Sequence, residues 1–270
     1  MSTLLLSVAA ALYLAATIRF QRSLYADEGD GAGGALHGRG FVAAAFIAQL
    51  ASLLAAGHEM GACPLTLAQS LNVICWTMVG LYLVVGILWR KMDVVGAFTA
   101  PAATLMMLAS LATEHLRGPV SNPHDPLLTF HVACIVLGYA AFTLATLVAA
   151  LFFIQSFLLK RKQVSGVLTK MPSLENLDQA TYRLIGLGFV PMLIGIALGF
   201  ARVDGQGPRA WSLDVWLGLA TVLIYAVYIG ARLFGGWQGR RVNQLLLLGF
   251  VFLVATYVGV GLPSSVHLRP

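Results

Sequence analysis

The sequence predicts an all-α, polytopic membrane bundle of about eight transmembrane helices with both termini on the outer side, and three observations lead there. Of 270 residues, 59 % are hydrophobic and 10 % charged, with a mean hydropathy of +0.82, more apolar surface than a water-soluble core can hide. Apolar stretches of the ~20 residues that cross a ~30 Å hydrocarbon layer recur eight times, at roughly 3–19, 41–57, 67–89, 94–113, 127–159, 182–201, 212–234 and 242–262. The basic residues, finally, gather at alternate ends of these stretches. Lipid offers no partners to backbone N–H and C=O groups, so the spans must be helices. Strand-like alternation over ~10 residues is absent, which excludes a barrel.

The connections between spans 1–2, 3–4, 5–6 and 7–8 carry thirteen of the seventeen Lys and Arg, leaving Arg117, Arg202, Arg209 and Arg269 for the other set of ends. The positive-inside rule therefore turns both termini outward. The net charge of +6 is accounted for by orientation, and no nucleic-acid partner is expected; the partner that composition implies is the lipid bilayer. Residues 1–270 read as one bundle domain, without a fixed-period repeat.

Taken in order, span 1 has no positive leading region and is followed by Arg19 and Arg22, so it reads as a retained anchor. The Gly-rich segment "ADEGDGAGGALHGRG" (26–40) reads as a flexible inner loop. Spans 2 and 3 contain the polar residues Gln49, Gln69 and Asn72, and span 5 contains Gln155. Pro101 in span 4 and Pro191 in span 6 are tolerated as kinks. Span 5, at 33 residues or about 50 Å of helix, exceeds the hydrocarbon and must tilt or project. In "KMPSLENLDQATYRLIGLGF" (170–189), Pro172 followed by Leu174, Leu177 and Tyr182 predicts a short helix at the interface before span 6. Gly195 and Gly199, four apart, permit close helix contact there. "WSLDVW" opens span 7, where Ser212 and Asp214 also suit a helix N-terminus. The three cysteines show no Cys-x-x-Cys spacing. Cys75 and Cys134 read as buried small hydrophobes, and Cys63 as an odd outer thiol.

Ionisable residues at membrane depth are expensive, and each is a functional candidate by default. On this topology His58, His115, His124, His131 and His267 lie at or near the outer face, and His37 inside. Neutral imidazole is a standard axial ligand of haem iron, and two facing histidines hold a haem without a covalent link. His131, about one turn into span 5, and His267, just beyond span 8, should share one outer depth. Trp211, Asp214 and Trp216 open span 7 on that side, where aromatic rings can pack on a porphyrin edge. Gly138, two turns from His131, would leave room for a flat ligand. The plainer alternatives are a hydrated interfacial histidine and ordinary interface-belt tryptophans. His58, His115 and His124, near Glu59, Glu114 and Asp125, lack the spacing of a metal site. No Gly-x-Ser-x-Gly, phosphate-cradling loop or His-Glu-x-x-His occurs, so no enzymatic activity is expected.

The segments "PLTLAQSLNVICW", "TFHVACIVLGYAAF", "PSLENLDQATYRLIGLGF", "LIYAVYIGARL", "GWQGRR" and "TYVGVGLPSSVH", in this order, resemble the cytochrome c assembly family of the CcsA and CcmC type, and within it the short YpjD-like and HemX-like members. The resemblance covers most of the chain from about residue 65. It implies a bundle of six to eight transmembrane helices in the bacterial inner (plasma) membrane, with haem b as cofactor. It also implies external axial ligation of the iron by His131 and His267, flanking a tryptophan signature. Of that signature, Trp-Gly-x-x-Trp-x-Trp-Asp, the chain keeps only Trp211 and Asp214 within "WSLD". Where CcsA-type members carry a histidine inside the bundle, it has Gly230. The leading expectation is thus a haem-interacting membrane protein holding haem at the outer face. The alternatives are a haem-free scaffold or regulator working with other membrane proteins, and a permease subunit for a small solute or ion.

Overall fold

The computed structural model describes residues 2–25, 28–60, 67–88, 93–113, 126–162, 166–201 and 213–261. These form α1 (Ser2–Tyr25), α2 (Glu28–Met60), α3 (Leu67–Leu88), α4 (Asp93–Thr113), α5 (Pro126–Lys160), the short α6 (Gly166–Lys170), α7 (Leu174–Ala201), α8 (Leu213–Leu233) and α9 (Arg240–Gly261). All except α6 are long and apolar enough to cross a membrane. Eight crossings bring the start of α1 and the end of α9 to the same face of the bundle, as the sequence predicts. Pro101 and Pro191 both lie within continuous helices, α4 and α7.

Two sequence expectations fail, each because of packing. Residues 26–40 are not a loop: the described part, from Glu28 onward, is the start of α2. A Cβ on Gly34 would lie 2.9 Å from the Cβ of Ser23, and one on Gly38 would lie 3.1 Å from the Phe20 ring. Glycines four apart therefore let α2 run closely alongside α1, and this tertiary contact overrides their poor helix propensity. Nor is there a separate interfacial helix over Leu174–Tyr182, because these residues are the first turns of α7 itself. Buried Pro172 lies two residues before them, and its carbonyl accepts a 2.9 Å hydrogen bond from Gln155 Nε2.

In the N-terminal half α1 packs on α2 and α4, and α3 on α4; in the C-terminal half α5 pairs with α7 and α8 with α9. The long α5 joins the halves by touching α3, α4, α7 and α9. Every residue from Gly138 to Thr146 is buried, as expected of a central helix that is apolar all round. Phe142 stacks on Tyr225 of α8 at 3.9 Å, and Tyr139 meets Tyr257 of α9 edge-on at 6.3 Å.

Of the polar residues flagged in spans 2 and 3, Gln49 and Asn72 turn inward to one another. Tyr13 Oη donates to Gln49 Oε1 at 2.7 Å, and Gln49 Nε2 donates to Asn72 Oδ1 at 2.8 Å and to the Asn72 carbonyl at 2.9 Å. This ties α1, α2 and α3 together where no water could serve as partner. Cys75 and Cys134 are buried, as the sequence suggests; Cys63 lies outside the described residues.

Candidate functional site

The helices α5 and α7 run antiparallel, and their seam is built from absent side chains. Gly188 of α7 faces Ala141 and Phe142, where a Cβ would lie 2.9 and 3.0 Å from their atoms. Gly195 faces Ile135 at 2.7 Å on the same measure, and Gly199 faces the His131 ring, its Cε1 at 3.1 Å. Gly138 belongs to this seam too, with a Cβ there 3.1 Å from both Cβ and Sδ of Met192. The space expected at Gly138 for a flat ligand is therefore filled by α7.

This register brings His131, half-buried five residues into α5, against the far end of α7. Its Nδ1 lies 2.6 Å from the carbonyl oxygen of Gly195. A carbonyl only accepts, so Nδ1 carries the proton and the neutral ring keeps its lone pair on Nε2. No described residue hydrogen-bonds Nε2. An imidazole held through one nitrogen by a backbone carbonyl, with the other left as donor to a metal, is the usual arrangement of a histidine ligand. The arrangement of His131 thus fits what a histidine that would hold a haem iron needs.

The other predicted positions are less defined. His267 and Trp211, like His115 and His124, lie outside the described residues. Asp214 is the second residue of α8, but its side chain is not among those described. Trp216 lies one turn in, 55 % exposed, at the face where α5 begins. His58 is exposed in the last turn of α2. Among the described residues no three His, Cys, Asp or Glu side chains gather as a metal cage. At Gly230 of α8, where the resemblance implies a histidine, a Cβ would meet nothing within 4 Å.

At the opposite face is a polar cluster that the sequence did not disclose. Asp178 Oδ2 of α7 pairs with Arg232 Nη2 of α8 at 2.7 Å, and Asp178 Oδ1 accepts from Gly239 N at 3.1 Å and Asn243 Nδ2 at 3.2 Å. The Arg232 guanidinium also lies 4.6 Å over the Tyr182 ring. Gly239, at φ +66°, holds a left-handed conformation that glycine adopts without strain. The one available signal was an acid and an arginine placed inside predicted helix ends, 54 positions apart.

Residues 65–267 match the cytochrome c assembly protein family. The chain belongs to it. Among relatives of this family member, the cytochrome c biogenesis protein CcsA of Chlamydomonas reinhardtii is 31 % identical over 78 % of this chain and 61 % of its own length. That of Microcystis aeruginosa is 31 % identical over 79 % of this chain and 81 % of its own. The corresponding protein of Gloeobacter violaceus is 28 % identical over 74 % of this chain and 76 % of its own. This cytochrome c assembly family member thus spans about three fifths of the algal protein and more of the two bacterial ones.

Proposed function

We propose that this family member serves cytochrome c biogenesis by holding haem at the outer face of the bacterial inner (plasma) membrane, between His131 and His267. It does so as a binding protein without enzymatic activity. The observation that supports the reading best is the state of His131: a half-buried imidazole at the bundle face, tethered at Nδ1 by Gly195. Haem b bound there would supply an iron, and His131 and His267 are the residues that would hold it. The chain's own contribution is to orient His131 and, in the neutral ring, to seat the proton on Nδ1. In this reading Trp216, one turn into α8, together with Asp214 and with Trp211 just before that helix in the sequence, supplies the apolar and polar edge of the site. Gln49 and Asn72 are spent on bonds between helices and Gln155 on the Pro172 carbonyl before α7, so they do not support a permeation path.

Absorption and EPR spectra of the detergent-purified protein, as isolated and after haem titration, test this. A six-coordinate low-spin species is expected. His131→Gly or His267→Gly should give a five-coordinate species or lose haem, whereas His58→Ala, His115→Ala and His124→Ala should leave the spectrum alone. Failure of haem to co-purify or to titrate in would overturn the reading in favour of a haem-free scaffold serving other membrane proteins.

A further inference from the structure

The environment of His131 on the α7 side goes one step further, and the step rests on the haem reading above. We infer that two glycines of α7 are positioning residues for the iron ligand: the Gly195 carbonyl fixes which nitrogen of His131 meets iron, and the bare Cα of Gly199 makes room for the ring to reach that carbonyl.

The geometry requires both. In a regular helix the Gly195 carbonyl already accepts the amide of residue 199, and it has a second lone pair to offer sideways. A partner on another helix reaches that lone pair only where the covering side chains are missing. A Cβ at 199 would lie 3.1 Å from His131 Cε1 and 3.5 Å from Nδ1, and one at 195 would lie 2.7 Å from Ile135 Cδ1. A methyl at 199 would therefore press the ring aside from its seat beside the carbonyl, and a methyl at 195 would push the two helices apart. With both absent, the 2.6 Å contact forms.

Two consequences follow for the iron. Nδ1 cannot serve as ligand while its proton is engaged, so coordination is by Nε2 alone. The carbonyl also draws on the Nδ1 proton, which makes Nε2 a stronger electron donor and favours ferric over ferrous iron. Glycine at 195 and 199 thus helps close helices and sets the chemistry of the ligand.

The test has a haem-free arm and a haem-bound arm. In haem-free protein carrying 15N-histidine, with His131 assigned by its loss in His131→Gln, the neutral ring should show a pyrrole-type Nδ1 and a pyridine-type Nε2. Gly199→Ala should abolish that preference. A wild-type His131 protonated at Nε2, or an even mixture of tautomers, would overturn the inference whatever haem does. In haem-loaded His131→Gly, 4-methylimidazole should restore the six-coordinate spectrum. The equally large 1-methylimidazole, which has no N–H for Gly195, should bind at least about tenfold more weakly, the scale typical of losing a ligand's outer partner. Equal rescue by both would overturn the inference while leaving His131 ligation standing. A His131→Gly protein that keeps haem and the wild-type spectrum would instead overturn the ligation itself. Gly199→Ala, with His131 intact, should raise the reduction potential of bound haem, and an unchanged potential would count against the donor effect.

Discussion

Asp178 and Arg232, on α7 and α8, form a 2.7 Å ion pair with 8 % and 11 % of their side chains exposed. Such a pair is dangerous to halve, because the surviving charge has neither water nor counter-charge. Asp178→Asn should lower stability in detergent by about 3 kcal/mol, read by chemical or thermal unfolding. The double change Asp178→Leu with Arg232→Met should cost much less than the sum of the single changes. Additive losses would mean that the two side chains do not sense each other.

Gln49 is the hub of the buried network in the N-terminal half. Tyr13→Phe removes one hydrogen bond and should cost about 0.6 kcal/mol, the average for such bonds between membrane helices. Gln49→Leu strands the Tyr13 hydroxyl and the Asn72 side chain together and should cost about 1–3 kcal/mol. Equal effects would show that Asn72 finds another partner.

Gly186 and Gly188 lie two residues apart on α7 with opposite surroundings. A Cβ at 186 would meet nothing within 4 Å, whereas one at 188 would press on Ala141 and Phe142. Gly186→Ala should therefore raise stability, by up to about 1 kcal/mol from helix propensity. Gly188→Ala should lower it by about 1–3 kcal/mol through overpacking. Melting temperatures of the two variants in one detergent decide the matter.

Orientation is checked with single cysteines in a background lacking the native three. Pro126→Cys should react with a membrane-impermeant maleimide added from outside, and Lys162→Cys only after permeabilisation, as the distribution of basic residues requires. The reverse pattern would move His131 to the inner face and remove the proposed site from its compartment.

The eight crossings were legible because lipid makes a demand on sequence that is local: about 20 apolar residues in a row. His131 was legible for a related reason, as an ionisable side chain at a depth where few occur. What depended on two helices meeting was not. Glycines at 34 and 38 look like those of a loop until Ser23 and Phe20 of α1 are set against them. The tether from His131 to Gly195 spans 64 positions, and the Asp178–Arg232 pair 54. Neither has a signature within one helix. Gly138 shows the same limit from the other side, since a missing side chain signals space without saying whether a ligand or a neighbouring helix fills it.

The α5–α7 seam also shapes how this protein can vary. Most cores are damaged when atoms are lost, and a mutational scan finds them at large residues. Along this seam the vulnerable positions are those with nothing to lose. Gly188, Gly195 and Gly199 should tolerate hardly any replacement, while bulky residues on the outward sides of the same helices, such as Leu187, Val190 and Phe157, should exchange freely among apolar types. Drift across generations would then damage this seam by single-methyl gains, changes that substitution tables score as among the mildest.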